Sequence, residues 1–154
     1  MKKLLSLCLF LLPLTSMAAP KELYWEDLAP QDFVMPEQSV LHDGSNMAQI
    51  SPNAPIVKEL DGLEVRIPGF VVPLEGDDKT LTEFLLVPYF GACIHVPPPP
   101  ANQIVYVQFE KGALIDNLYD AVWITGTLST QGWSGDIATV GYRLKGIKVE
   151  PYEG

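Results

Sequence analysis

The sequence predicts a mainly β protein, and three observations carry that reading. Residues 63–67 alternate apolar and polar side chains, the mark of a strand with one buried face. Runs rich in β-branched and aromatic residues follow at 84–87, 104–109, 121–128 and 137–149. Turn chemistry separates them: Gly76-Asp77-Asp78, Lys111-Gly112 and residues 132–135. Only residues 113–119 offer a helix, and a short one. Five long, bent strands with one short helix between the third and fourth suggest a small closed barrel. The oligonucleotide/oligosaccharide-binding (OB) arrangement fits best, with a β-sandwich as the alternative.

Taken in order, the first strand passes through Pro68-Gly69, where a bulge or bend is expected, into residues 70–72. The last strand carries Gly141 and Gly146, again where bends belong. Ahead of the strands, residues 19–55 read as an extended arm punctuated by Pro20, Pro30, Pro36, Pro52 and Pro55. Residues 22–28 offer a short strand or a single helical turn, with Tyr24 and Trp25 placed to pin the arm. The barrel domain is expected over residues 56–154.

The N-terminus has a different character. Lys2 and Lys3 precede an apolar run from Leu4 to Leu14, and Ser16 and Ala18 supply small side chains before a cleavage point. Those are the three parts of a secretory signal peptide over residues 1–18. The apolar run is about half the roughly 20 residues that cross a bilayer as a helix, so no transmembrane span is expected in the mature chain. A periplasmic location follows as the expectation. The whole sequence carries 10 Lys+Arg and 19 Asp+Glu, a net charge of −9, and loss of Lys2 and Lys3 takes it to −11. Such a surface repels phosphate backbones, which excludes nucleic acid as a partner class.

Of the 2 cysteines, Cys8 leaves with the signal, so Cys93 has no partner for an intramolecular disulfide. It stands in the oddest stretch of the chain, residues 88–103, with His95 two positions on and four prolines, Pro97 to Pro100, behind. In an extended backbone the i, i+2 spacing puts thiol and imidazole on one face, about 6–7 Å apart at Cα, where both ligate Zn²⁺ or copper. His42 or an acidic side chain then completes the site, with Asn102 and Gln103 orienting the ligands. A second chemistry uses the same pair as nucleophile and base: Cys93 attacks and His95 lowers its pKa. A third reading is structural, a buried thiol and a rim histidine. The Pro97–Pro100 strip also suits a partner-docking scaffold. Trp25, Trp123 and Trp133 are of a kind that stacks sugars or bases, though packing explains each as well.

Residues 84–103 resemble the signature of an uncharacterised bacterial family, domain of unknown function 3299, and residues 24–28, 60–74 and 122–128 are similar to it too. The resemblance covers nearly all of the mature chain. It implies an exported Gram-negative protein, often lipoprotein-like or periplasmic, with relatives near ABC-type transport components that have a metal connection. This chain departs from the lipoprotein-like pattern, since Leu7 is bulky where a small residue should precede a lipidated Cys8. The combined expectation is a periplasmic binding or accessory protein of an envelope transport system, binding zinc or copper at Cys93 and His95. A thiol enzyme and a polyproline scaffold are the alternatives.

Overall fold

A computed structural model describes residues 19–36, 48–77 and 79–153. The expected signal peptide and His42 lie outside the described residues. The strands are β1 (Lys21–Glu22), β2 (Glu64–Gly76), β3 (Thr80–Val87), β4 (Val105–Leu114), β5 (Val122–Ser129), β6 (Trp133–Ser134), β7 (Thr139–Val140) and β8 (Tyr142–Pro151). The long ones pair in the order β2-β3-β4-β8-β5, and β5 returns to β2 to close a five-stranded barrel. Every contact in that ring is antiparallel except β4 with β8. This is the OB connectivity the sequence predicts.

Closure depends on β2. Its first half, Glu64–Gly69, pairs with β5, and its second half, Phe70–Gly76, pairs with β3. The change of partner falls at Pro68-Gly69, where a bulge was expected; the register shifts come later, at Pro73/Glu75 and Glu75/Gly76. Gly69 is required by crowding. A Cβ there would stand 2.7 Å from the Val87 carbonyl oxygen and 2.9 Å from the Trp25 ring.

Two expectations are corrected. The helix over residues 113–119 does not form: β4 continues to Leu114 and turns follow, because Ala113 and Leu114 pair with Leu81 and Thr80 of β3. Among the described residues the helical elements are 3-10 turns, Trp25–Leu28, Lys58–Leu60 and Ala101–Gln103. The single last strand is in fact two. β7 pairs with β6 as a hairpin, and β8 starts only after Gly141.

Two apolar cores sit on opposite faces of the same sheet. The larger fills the barrel with Val65, Ile67, Val71, Phe84, Leu86, Val105, Val107, Ile124, Leu128, Tyr142 and Leu144. The smaller lies outside the barrel wall, where Val72, Leu85, Val87, Ile104 and Tyr106 meet Ala92, Ala138 and Val140. Strand alternation assigns the faces: Phe84 and Leu86 point in, Leu85 and Val87 point out. That is why residues 84–87 read as an unbroken apolar run, the pattern of a strand buried on both sides.

The arm belongs to the barrel core through Leu23 and Leu28, which are 1% and 0% exposed. β1 runs parallel to β2. Tyr24 and Tyr152 edge onto Trp123 from centroid distances of 5.8 and 5.3 Å, and the Arg66 guanidinium lies 4.3 Å from the Trp123 ring centroid while pairing with Glu22. Tyr142 donates its hydroxyl to the Leu28 carbonyl and accepts from the Val57 amide, both at 2.7 Å.

Candidate functional site

The Cys93 segment is a turn, where an extended strand was expected. Gly91, at φ +83°, presents its carbonyl to three successive amides, Ile94, His95 and Val96, at 3.2, 2.9 and 3.4 Å. Ala92 bridges Val96 across the turn. The tight winding puts Cys93 at φ +66°, a left-handed conformation that costs a side-chain-bearing residue about 1 kcal/mol. The same-face argument for Cys93 and His95 therefore fails. Cys93 turns inward and packs against the outer core beside Tyr89 and Ala92, whereas His95 is exposed. Burial pushes the Cys93 thiol up to about 11, away from the lowered value a thiolate nucleophile needs.

The other residues expected there serve the arm. Asn102 and Gln103 are 0% and 5% exposed. Asn102 donates to the Pro55 carbonyl at 2.8 Å, and Gln103 donates to the carbonyls of Trp25 and Asn102 at 3.0 and 3.1 Å. Both amide nitrogens hold the arm, and the buried Asn102 Oδ1 has no hydrogen-bond partner. Pro98, Pro99 and Pro100 are buried. Pro98 accepts from the Ile50 amide and Pro99 from the Gln49 side chain, so residues 49–50 strap over the strip. Among the described residues no three His, Cys, Asp or Glu side chains gather closely enough to hold a metal ion. The described donors stop at Cys93 and His95, short of the three or four protein ligands zinc sites use.

The open part of the barrel wall lies next to this covered part. A groove of about 640 Å³ crosses β3, β4, β8 and β5, floored by Glu83, Tyr106, Gln108, Arg143 and Lys145. Sheet register builds it. Glu83 stands opposite Gln108, Gln108 opposite Lys145, Lys145 opposite Thr127, and in the next row Tyr106 is opposite Arg143 and Arg143 opposite Ser129. In OB barrels this second-and-third-strand face, flanked by the loop between the last two strands, is the ligand surface. Here that loop carries the β6–β7 hairpin, and Trp133 from it stacks on Tyr106 at 4.6 Å and 8° between planes.

The groove's polar groups are partly knit together. Tyr106 hydrogen-bonds to Glu83, and Gln108 donates to Glu83 Oε1 at 2.9 Å. The Tyr106 hydroxyl is pushed up to about 12, first by burial and then by Glu83. Glu83 is held below the ordinary carboxylate value by the Tyr106 hydroxyl first, then the Gln108 amide, with the Arg143 charge also lowering it. Arg143 lies over the Tyr106 ring, 5.4 Å from its centroid. A larger groove of about 890 Å³ runs beside the arm between Trp25, Phe33, Met35 and Glu59; Met35 leads into residues 37–47, outside the described residues.

The sequence reading missed Glu83, Tyr106, Gln108, Arg143 and Lys145. The usable signal was their alternation with core residues on strands already identified, next to Trp133, which had been singled out as a stacking side chain.

Comparison with known proteins agrees with the architecture. A crystal structure of a DUF3299 family protein from Pseudomonas aeruginosa PAO1 is 48% identical, with a TM-score of 0.80, covering 89% of this chain and 99% of that one. Comparison with curated proteins finds no match. The family model described as "Protein of unknown function (DUF3299)" matches residues 25–151, and the chain belongs to that family.

Proposed function

We propose that this protein is a non-catalytic binding module of the cell envelope, working through the groove across β3, β4, β8 and β5. One observation carries the reading: the groove is open and carries charged side chains on the wall where OB barrels take ligands, while the adjoining part of that wall is covered by the protein's own loops. The envelope location rests on Lys2, Lys3 and the apolar run behind them. An accessory role beside an envelope transport system accords with that location and with a domain whose described residues hold no activated thiol.

The test is a protein-observed NMR screen of small polar fragments, which asks where ligands go without presuming what they are. Bound fragments should shift the amides of residues 106–110, 127–131 and 143–145. A groove that stays silent, or fragments that gather at residues 88–96 instead, would end the reading.

Zinc or copper binding at Cys93 and His95 is the second reading, favoured by their placement in one turn closed on the Gly91 carbonyl. It requires His42 or an acidic side chain as a further donor. Calorimetry with zinc and with reduced copper tests it directly. It requires binding that Cys93→Ala and His95→Ala each weaken at least tenfold, since such a site cannot spare a ligand.

A further inference from the structure

The charges in the groove are unevenly partnered. Lys145 is engaged by Glu110 at 2.7 Å, and Glu83 accepts from Tyr106 and Gln108. Arg143 takes part in none of the ion pairs that the described residues form, which join Arg66 to Glu22, Lys145 to Glu110 and Lys148 to Glu150. Its guanidinium is held over the Tyr106 ring, with five N–H donors in a fixed fork that matches a carboxylate. Across the groove, Glu75 is an exposed carboxylate on β2, opposite Glu83 of β3. The Tyr106 hydroxyl feels both charges, Arg143 favouring its ionised form and Glu75 opposing it. The groove thus has an acceptor wall on β2–β3 and a donor wall on β8, with Tyr106 and Gln108 between.

Ligand classes sort against that arrangement. A phosphate or other lone anion would meet Arg143 but face Glu75, Glu83 and Glu110 on the same groove. A neutral sugar would leave the Arg143 and Glu75 charges without a counter-charge from the ligand. A zwitterion answers both. The strands carrying Glu75 and Arg143 are three sheet steps apart, about 14 Å at the backbone, and both side chains line the groove between them. An extended chain of two or three residues spans about 7–10 Å between its termini.

We propose that the groove receives a short peptide with free ends, its carboxylate on Arg143 and its ammonium on Glu75. Gln108, on β4 between the two walls, stands where the peptide's internal amides run. This rests on the groove being the binding surface.

The experiment is calorimetric titration of the chain with L-Ala-L-Ala-L-Ala, its N-acetylated form and its C-amidated form. The free tripeptide should bind, and capping either end should weaken binding at least tenfold. Arg143→Gln should abolish the preference for the free carboxylate, and Arg143→Lys should restore part of it. Glu75→Gln should abolish the preference for the free ammonium. Melting transitions within a few degrees of the parent confirm that the variants fold. Capped and free peptides binding alike would overturn the proposal, as would variants that keep both preferences. No peptide binding, alongside fragment shifts in the groove, would overturn the ligand class and leave the binding surface standing; a groove silent to both removes the surface as well.

Discussion

The outer wall of the barrel divides into two regions that share strands yet obey different rules. Over Leu85, Val87, Ile104 and Tyr106 the wall is roofed by the Cys93 turn and the β6–β7 hairpin, and it behaves as a second core. A few ångströms on, over Gln108, Arg143 and Lys145, the same sheet meets water. The most unusual residues, Cys93 and the prolines, sit on the roofed side and do packing. The groove is built from ordinary polar residues, whose meaning comes only from register. On the proposed function, rarity in a sequence is a poor guide to the site, and the side of the strand a residue occupies is a better one.

The roofed region should be costly to disturb. Leu85→Ala should destabilise the protein by about 2–5 kcal/mol, read by urea unfolding, as expected for a fully buried leucine that leaves a cavity. A loss below about 1 kcal/mol would mean that the roof is loose and that the second core is not one.

Trp133→Ala sharpens the contrast because Trp133 touches both regions. It should cost less, about 1–3 kcal/mol, since the ring is half-buried and its stack on Tyr106 adds only about 0.5–1.5 kcal/mol beyond burial. It should also open the hairpin edge, increasing hydrogen exchange at residues 133–140 while residues 122–129 stay protected. Uniform loss of protection would show that the hairpin is no separate cover.

The smallest effect concerns Cys93. At pH 8 iodoacetamide should modify it much more slowly than it modifies the urea-unfolded chain, and His95→Ala should leave that rate unchanged. The raised thiol pKa sets the sign of its pH effect. The folded state holds its proton to about 11, above the ordinary thiol value of 9.0, so Cys93's contribution is intact below 9 and is lost as pH rises towards 11. Cys93→Ser should flatten that part of the stability–pH curve. Rapid alkylation of the folded protein that slows in His95→Ala would return the segment to thiol chemistry.

Much of the barrel was legible because long-strand signals are local. Alternation at residues 63–67, the β-branched runs and the glycine turns placed all five barrel strands, and Tyr24 pins the arm on Trp123 as its sequence position suggested. What failed was non-local. Residues 113–114 have fair helical character, yet pairing with Thr80 and Leu81 keeps them in β4. Cys93 and His95 look extended, but the Gly91 carbonyl gathers three amides and winds them into a turn. Asn102 and Gln103 seemed to serve the cysteine, and their partners lie 47 and 78 residues away in the arm. The continuous apolar run at 84–87 did hold the clue to a roofed wall, since one-sided burial would have produced alternation.

The hydrogen bond from Tyr142 to Leu28 joins positions 114 residues apart, and it has a consequence for how the chain reaches this state. Leu28 emerges early in synthesis, but the strand whose Tyr142 holds its carbonyl, β8, is the last of the barrel strands to be made. Until β8 arrives, the first segment has no hydroxyl to satisfy the Leu28 carbonyl and the barrel has no closing stave between β4 and β5. Search over so long a stretch of chain makes folding slow for a domain of this size, in the range of milliseconds to seconds typical of β proteins rich in distant contacts. The arm must therefore wait with Leu28 uncovered, and the arrival of β8 acts as the timer that lets it lock.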